Sequence, residues 1–187
     1  MIANKTVFFI IGVLLSVLGI FMLIPYAAQI IYQENNHIFL TSSFMTIFIG
    51  TLFILTNLDR EAFLSLQQTF LFSTLAWVSI AVFGSIPFVL SPVNLSISEA
   101  FFESMSGITT TGSTVILDLD NTPKSILLWR AIMQWLGGIG IIVMAITLMP
   151  IMNVGGMQLF KISNSDSSEK ILPKSKEIAL RLIYIYS

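Results

Sequence analysis

The run from Thr6 to Gln33 carries no charged side chain, and it constrains what this chain can fold into more than any other feature. A helix needs about 20 apolar residues to cross the hydrocarbon core of a bilayer. This run is longer than that, and longer than the roughly 7–15-residue core of a signal peptide. It reads as a retained transmembrane helix over residues 7–31, with Pro25 as a kink near its outer end. The pattern recurs over 38–58 and again over 69–90, where Pro87 and the "SPVN" loop end it. Pro123 opens a fourth long helix, since Pro is tolerated at a helix start. Its uncharged part runs from Ala131 to Phe160. At about 1.5 Å per residue that part reaches roughly 45 Å, more than the bilayer core. It must tilt, kink or break, and "LGGIG" (Leu136 to Gly140), Pro150 and Gly155-Gly156 are the places to do so. Charged residues make up 10% of the chain and hydrophobic ones 55%, where a soluble domain carries about 25% charge. The expected class is an all-α integral membrane protein.

Several functions fall away at this level. The chain has no Cys, which excludes thiol catalysis, disulfides and Cys-based metal sites. A net charge of −1 argues against a nucleic-acid partner. The single His, His37, lies in the polar run "QENNH" and reads as a solvated loop residue. No spanning helix offers paired acids, a His or a Ser–Lys pair for intramembrane catalysis, so no enzyme and no cofactor are expected. The sequons at Asn4 and Asn94 carry little weight.

Orientation follows from the positive charges. With the N-terminus in the cytoplasm, Lys5, Arg60, Lys161, Lys170, Lys174, Lys176 and Arg181 lie inside, Lys124 lies outside, and Arg130 falls just within the fourth helix. The opposite orientation reverses a strong bias.

One segment fits none of the spans. "ESMSGITTTGSTVILD", Glu103 to Asp118, has no charge between its end residues, yet it is too short to cross and its middle is Thr, Ser and Gly. In the expected orientation it enters from and returns to the outer face. Such backbone is tolerated at membrane depth only when buried in protein or lining a watery cavity. Its first half reads as a short helix. Ser96 and Glu99 form an S-x-x-E capping box, Ile97 to Ile108 would descend roughly 18 Å, and Gly107 is placed to end it. The helix C-terminus then favours a cation. The second half, Thr109 to Val115, reads as extended, because β-branched Thr disfavours helix and Gly112 permits backbone closed to other residues. A helix down, a Thr-Gly strand up and an inner helix after it read as a pore loop, with carbonyls replacing an ion's hydration shell. "GITTTGST" also resembles the phosphate-binding G-x-x-x-x-G-K-[ST], but Ser113 stands where Lys is needed and no strand precedes it.

"FFESMSGITTTGSTV", followed by "LLWRAIMQWLGGIGIIVMAITLMPIMNVGGMQL", resembles the first pore repeat of the Trk/Ktr/HKT superfamily of potassium transporters. The two helices ahead of it make the chain similar to TrkH-type subunits rather than Ktr-type ones. The resemblance implies four helix–pore loop–helix repeats around one pore, a homodimer of full-length subunits and a cytoplasmic nucleotide-binding regulatory ring. It implies a filter of Thr110, Thr111, Gly112, Ser113 and Thr114, with Thr109 at its base. Gly at position 112, where plant members carry Gly or Ser, implies potassium rather than sodium selectivity. This chain holds one pore repeat, and its last apolar run, from Ile178 to Ser187, is too short to span, which reads as a fragment truncated at the start of a second repeat.

The expected organisation is an N-terminal two-helix unit over 1–61, one helix–re-entrant pore loop–helix repeat over 62–162, and a cytoplasmic linker with an incomplete helix over 163–187. Glu103 and Arg130 are the charges expected at membrane depth, where they pair to support the loop beside Gly107. Snorkelling of Arg130 is the alternative. Asp118 and Asp120 sit at the expected outer mouth, where they raise local cation concentration or simply solvate a loop. The expected function is potassium uptake across the bacterial inner membrane. A non-transporting membrane anchor or assembly subunit, and a homotetrameric cation channel, are the competing readings.

Overall fold

Long uncharged runs leave the backbone no polar partner but itself, and the chain answers with helices. The computed structural model describes residues 5–34, 36–58 and 65–152. Among these, the elements are all helical, with no β-strand. The linker over 163–187, the pair Gly155-Gly156 and the basic residues from Lys161 onward lie outside the described residues. Among the described residues, four helices are long and apolar enough to cross a membrane: Lys5–Ile31, Ile38–Thr56, Gln67–Val89 and Lys124–Ile142.

The first span is α1 (Lys5–Phe21) followed by α2 (Leu23–Ile31). Its interruption falls at Met22, one turn before Pro25, because the proline ring offers no N–H to the carbonyl four residues back. The second span is α3 (Ile38–Thr56). Helices α1 and α3 meet through small residues. A Cβ built on Gly12 would lie 2.7 Å from the Gly50 carbonyl oxygen, and one on Gly50 would lie 2.6 Å from Ser16 Oγ. Ser43 Oγ donates to Gly19 O at 2.7 Å across the same seam. With no hydrophobic drive between helices in lipid, close backbone approach of this kind is what holds them.

The third span is α4 (Leu66–Gly84) and α5 (Ile86–Val89), broken at Ser85 just ahead of Pro87. The break turns the Phe88 N–H to Ser85 O, at 3.0 Å. The indole Nε1 of the fully buried Trp129 donates to Gly84 O at 3.0 Å. A carbonyl that a proline break releases at membrane depth thus finds a side-chain donor.

After α5 come α6 (Ile97–Ile108), an irregular return, and α7 (Lys124–Met152). Pro123 stands just before α7, and its carbonyl accepts from Ile126 N (3.0 Å) and Leu127 N (3.2 Å). Helix α7 continues from Lys124 to Met152, so neither Leu136–Gly140 nor Pro150 ends it. The described residues fall into two compact units that divide between Leu136 and Gly137. The described part of the second is the later portion of α7.

Long-range contacts join the N-terminal helices to the first turns of α7. The Glu34 carboxylate accepts from Ser125 N at 3.2 Å and from Ser125 Oγ. A carboxylate suits a helix N-terminus, where N–H groups lack intrahelical partners. Phe39 also stacks edge-on against Trp129, with ring centroids 6.0 Å apart.

Candidate functional site

Helix α6 is short, 12 residues, with a defined start and stop. Ser96 Oγ accepts from Glu99 N (3.4 Å), while Glu99 Oε2 accepts from Ser96 N (2.8 Å). This is the reciprocal capping box that the sequence predicts. The Ser96 hydroxyl and N–H hold the Glu99 carboxyl below the usual carboxylate range. The helix then buries Ala100, Glu103, Ser104, Ser106, Gly107 and Ile108.

Its end differs from the expectation that Gly107 terminates it. The helix continues through Ile108, and Thr109 is its C-cap. Gly107 serves packing instead, since a Cβ there would lie 3.1 Å from Met133 Cβ on α7. Termination falls to Thr110, at φ +58°. Thr110 N donates to Gly107 O (2.9 Å) and Thr111 N to Ser106 O (3.0 Å). These are the two bonds of a Schellman ending, with threonine in the left-handed position that glycine usually holds. A β-branched residue in this region is a backbone outlier.

The return is not the plain extended strand that its threonines suggest. Gly112 is also left-handed, at φ +77°, while Thr111 between them is not. In a regular strand, successive carbonyls alternate sides. A left-handed residue breaks that alternation, and Thr110 and Gly112 break it twice within three residues. Residues Thr109 through Thr114 are exposed. Thr109 Oγ1 and Thr111 Oγ1 lie 2.8 Å apart.

Behind the return sits the buried Glu103, 1% exposed. Its Oε2 accepts from Thr114 Oγ1 (3.1 Å) and Val115 N (3.0 Å). Arg130 Nε lies 2.5 Å from Oε1. That contact lacks the alignment of a hydrogen bond, so Oε1 is compensated by charge alone. The structure therefore brings together Glu103, Arg130 and the far end of the Thr109–Thr114 run. Gln134 of α7, which sequence reasoning did not single out, reaches the same run: its Nε2 lies 3.7 Å from where a Gly112 Cβ would stand. Helical spacing from Arg130 (i, i+4) was the signal available for it.

Asp118 and Asp120 lie apart from this cluster. Asp118 closes a loop turn, accepting from Asn121 N (3.4 Å) and Nδ2 (2.8 Å). Asp120 is exposed. A cavity of about 500 Å³ opens between the α6 cap and this loop, lined by Glu99 and Asp118 among others. Both acids are engaged by their own turns. Among the described residues no group of three His, Cys, Asp or Glu side chains is placed to hold a metal ion. His37 is exposed beside Tyr26, with ring centroids 6.5 Å apart.

A sequence model of the TrkH family, described as cation transport protein, matches residues 34–187. The chain belongs to the TrkH family of cation transport proteins. Among its TrkH-family relatives, the Trk system potassium uptake protein TrkI of Halomonas elongata is 42% identical over 178 residues, covering 95% of this chain and 36% of that protein. The TrkH protein of Vibrio parahaemolyticus is 37% identical over 186 residues, covering 97% of this chain and 38% of that one. The crystal structure of the potassium transporter TrkH from Vibrio parahaemolyticus superimposes with a TM-score of 0.83 at 34% identity, over 100% of this chain and 37% of that one. This TrkH-family chain therefore spans 36–38% of the length of the relatives it matches here. It is an integral membrane chain of a transporter family.

Proposed function

We propose that this chain takes part in potassium uptake as the first pore-lining repeat of a Trk-type permease, with Thr109–Thr114 facing the ion path. The observation that carries this reading is the exposed, uncharged return with left-handed residues at 110 and 112, anchored from behind by Glu103. Carbonyls turned to one side can replace the hydration shell of an ion, and a ring of them is needed. One chain supplies one loop, so three further repeats complete the ring. In this reading Thr110, Thr111, Gly112, Ser113 and Thr114 form the filter, and Thr109 stands at its base. The proposed organisation is a two-helix unit over 1–61, a repeat over 62–162 in which α6 and its return are re-entrant, and a linker from 163 onward. The positive charges support a cytoplasmic N-terminus and a bacterial inner-membrane location. The resemblance adds a homodimer of full-length subunits and a cytoplasmic nucleotide-binding ring as partners.

The test is an exchange. This chain replaces the matching segment of the Vibrio parahaemolyticus transporter, and the chimera is expressed in cells lacking potassium uptake. Growth at low potassium is the expected result, while the 187-residue chain alone gives none. A chimera that inserts at normal levels and carries no potassium overturns the reading. Rescue by the chain alone points to a homotetrameric channel instead.

A further inference from the structure

Ser106 touches the return through both its main chain and its side chain. Its carbonyl accepts from Thr111 N (3.0 Å) and Gly112 N (3.4 Å) and, at 3.5 Å, from Thr109 Oγ1. Its Oγ donates to the carbonyl oxygen of Ser113 at 2.7 Å. The main-chain contacts belong to the helix ending, and any residue at 106 would supply them. The hydroxyl contact is particular to a Ser or Thr side chain. Ser106 is 6% exposed, so its hydroxyl has little access to bulk solvent as a competing partner. The consequence lies with Ser113. Its carbonyl is drawn back onto α6, whereas those of Thr110, Thr111 and Gly112 accept no hydrogen bond among the described residues.

We propose that Ser106 is a positioning and specificity-determining residue: its hydroxyl holds the Ser113 carbonyl against the pore helix and withdraws it from the row of freely presented carbonyls at Thr110, Thr111 and Gly112. This rests on the transport reading given above. The neighbouring Glu103 pins Thr114 and Val115. Ser106 and Glu103 thus fix the far half of the return from successive turns of one helix, and the near half faces outward. Freed of the hydroxyl, the Ser113 carbonyl can swing toward the path. A filter with a mobile extra ligand closes more readily around a smaller ion. Loss of discrimination, not loss of flux, is the expected consequence.

Two measurements separate the clamp from the transport reading. Ser–Thr occurs at 73–74 and at 113–114. Labelling Ser with carbonyl 13C and Thr with amide 15N therefore reports on those two peptide groups alone, and the first, within α4, is an internal reference. In the purified 187-residue chain, Ser106→Ala should move the Ser113 carbonyl resonance upfield, leave Ser73 in place, and be reversed by Ser106→Thr. An unmoved Ser113 resonance in a folded Ser106→Ala chain overturns the clamp. In the chimera, Ser106→Ala should lower the preference for potassium over sodium by about two- to tenfold, the worth of one neutral hydrogen bond, with Ser106→Thr restoring it. An unchanged preference overturns the specificity role. No uptake by the unsubstituted chimera removes the transport reading and the specificity role with it, while the resonance still judges the clamp.

Discussion

Thr110 and Gly112 share a left-handed backbone but not a side chain, and this makes them opposite tests of one geometry. Thr110 carries the strain of a β-branched residue at φ +58°, of order 1–3 kcal/mol. Thr110→Gly relieves that strain and adds the backbone freedom of glycine to the unfolded chain, which offsets about 1 kcal/mol. The expected result is unchanged or slightly raised stability in a thermal melt. Gly112→Ala should cost about 1–2 kcal/mol. The cost is conformational, since Gln134 Nε2 at 3.7 Å leaves ordinary contact distance for a Cβ. Gly112→Ser should cost the same and bring a hydroxyl near that amide. Equal melts for Thr110→Gly and Gly112→Ala would contradict the backbone angles. Glu103 and Arg130 make a second residue-scale test. Removing one partner of a buried pair leaves the other charge uncompensated, at about 3–5 kcal/mol. Glu103→Gln should therefore destabilise strongly, and Glu103→Gln with Arg130→Met should recover part of the loss in a double-mutant cycle. Additive losses would mean that the 2.5 Å contact contributes nothing.

At the scale of the element, α6 has a start and a stop of different origin. Its start is local: Ser96 and Glu99 satisfy each other's orphan donors. Ser96→Ala should cost about 1 kcal/mol. Glu99 also makes that start sensitive to acid. Its pKa is lowered by the Ser96 hydrogen bonds, so its contribution is fully present above the ordinary carboxylate pKa. The contribution fades as pH falls through the lowered one. Protection of the first-turn amides of α6, taken as the intrinsic exchange rate at each pH divided by the observed one, should fall in that acidic window and lose the dependence in Glu99→Gln. Protection that stays constant with pH in the unsubstituted chain would show that the cap is not formed. The stop of α6 is not local in the same sense, because threonine at the left-handed position persists only if its surroundings hold it there.

For the whole molecule, the question is on which side of the membrane the two ends of the segment 97–117 lie. The chain contains no Cys, so single cysteines are clean probes. Ser98→Cys and Asp120→Cys, both at exposed positions, should react with an impermeant reagent from the outer face. Labelling on opposite faces would make this segment a span and would remove the pore-loop reading. The N-terminal helices bear on the same arrangement, because Glu34 holds the start of α7 across 91 residues of sequence. Through that contact they are tied to the start of α7.

Element order was legible because each element has a local cause. Apolar runs of spanning length, the Ser96–Glu99 cap and Pro123 determine where α1–α2, α3, α6 and α7 lie, and no tertiary information is needed for them. Pro25 marked a kink, but the carbonyl it orphans lies one turn back, which placed the break at Met22. The tertiary structure decided the rest, wherever two segments compete for one backbone group or one space. Gly107 was assigned to end α6 from its own conformational freedom, yet close packing against Met133 on α7 is what requires it. Thr110 took the left-handed position against its intrinsic preference, because bonds to Ser106 and Gly107 close the helix there. The Glu34–Ser125 and Ser106–Ser113 contacts left no pattern to read, since a hydrogen bond between distant residues has no periodicity and appears only when the helices that carry them are packed.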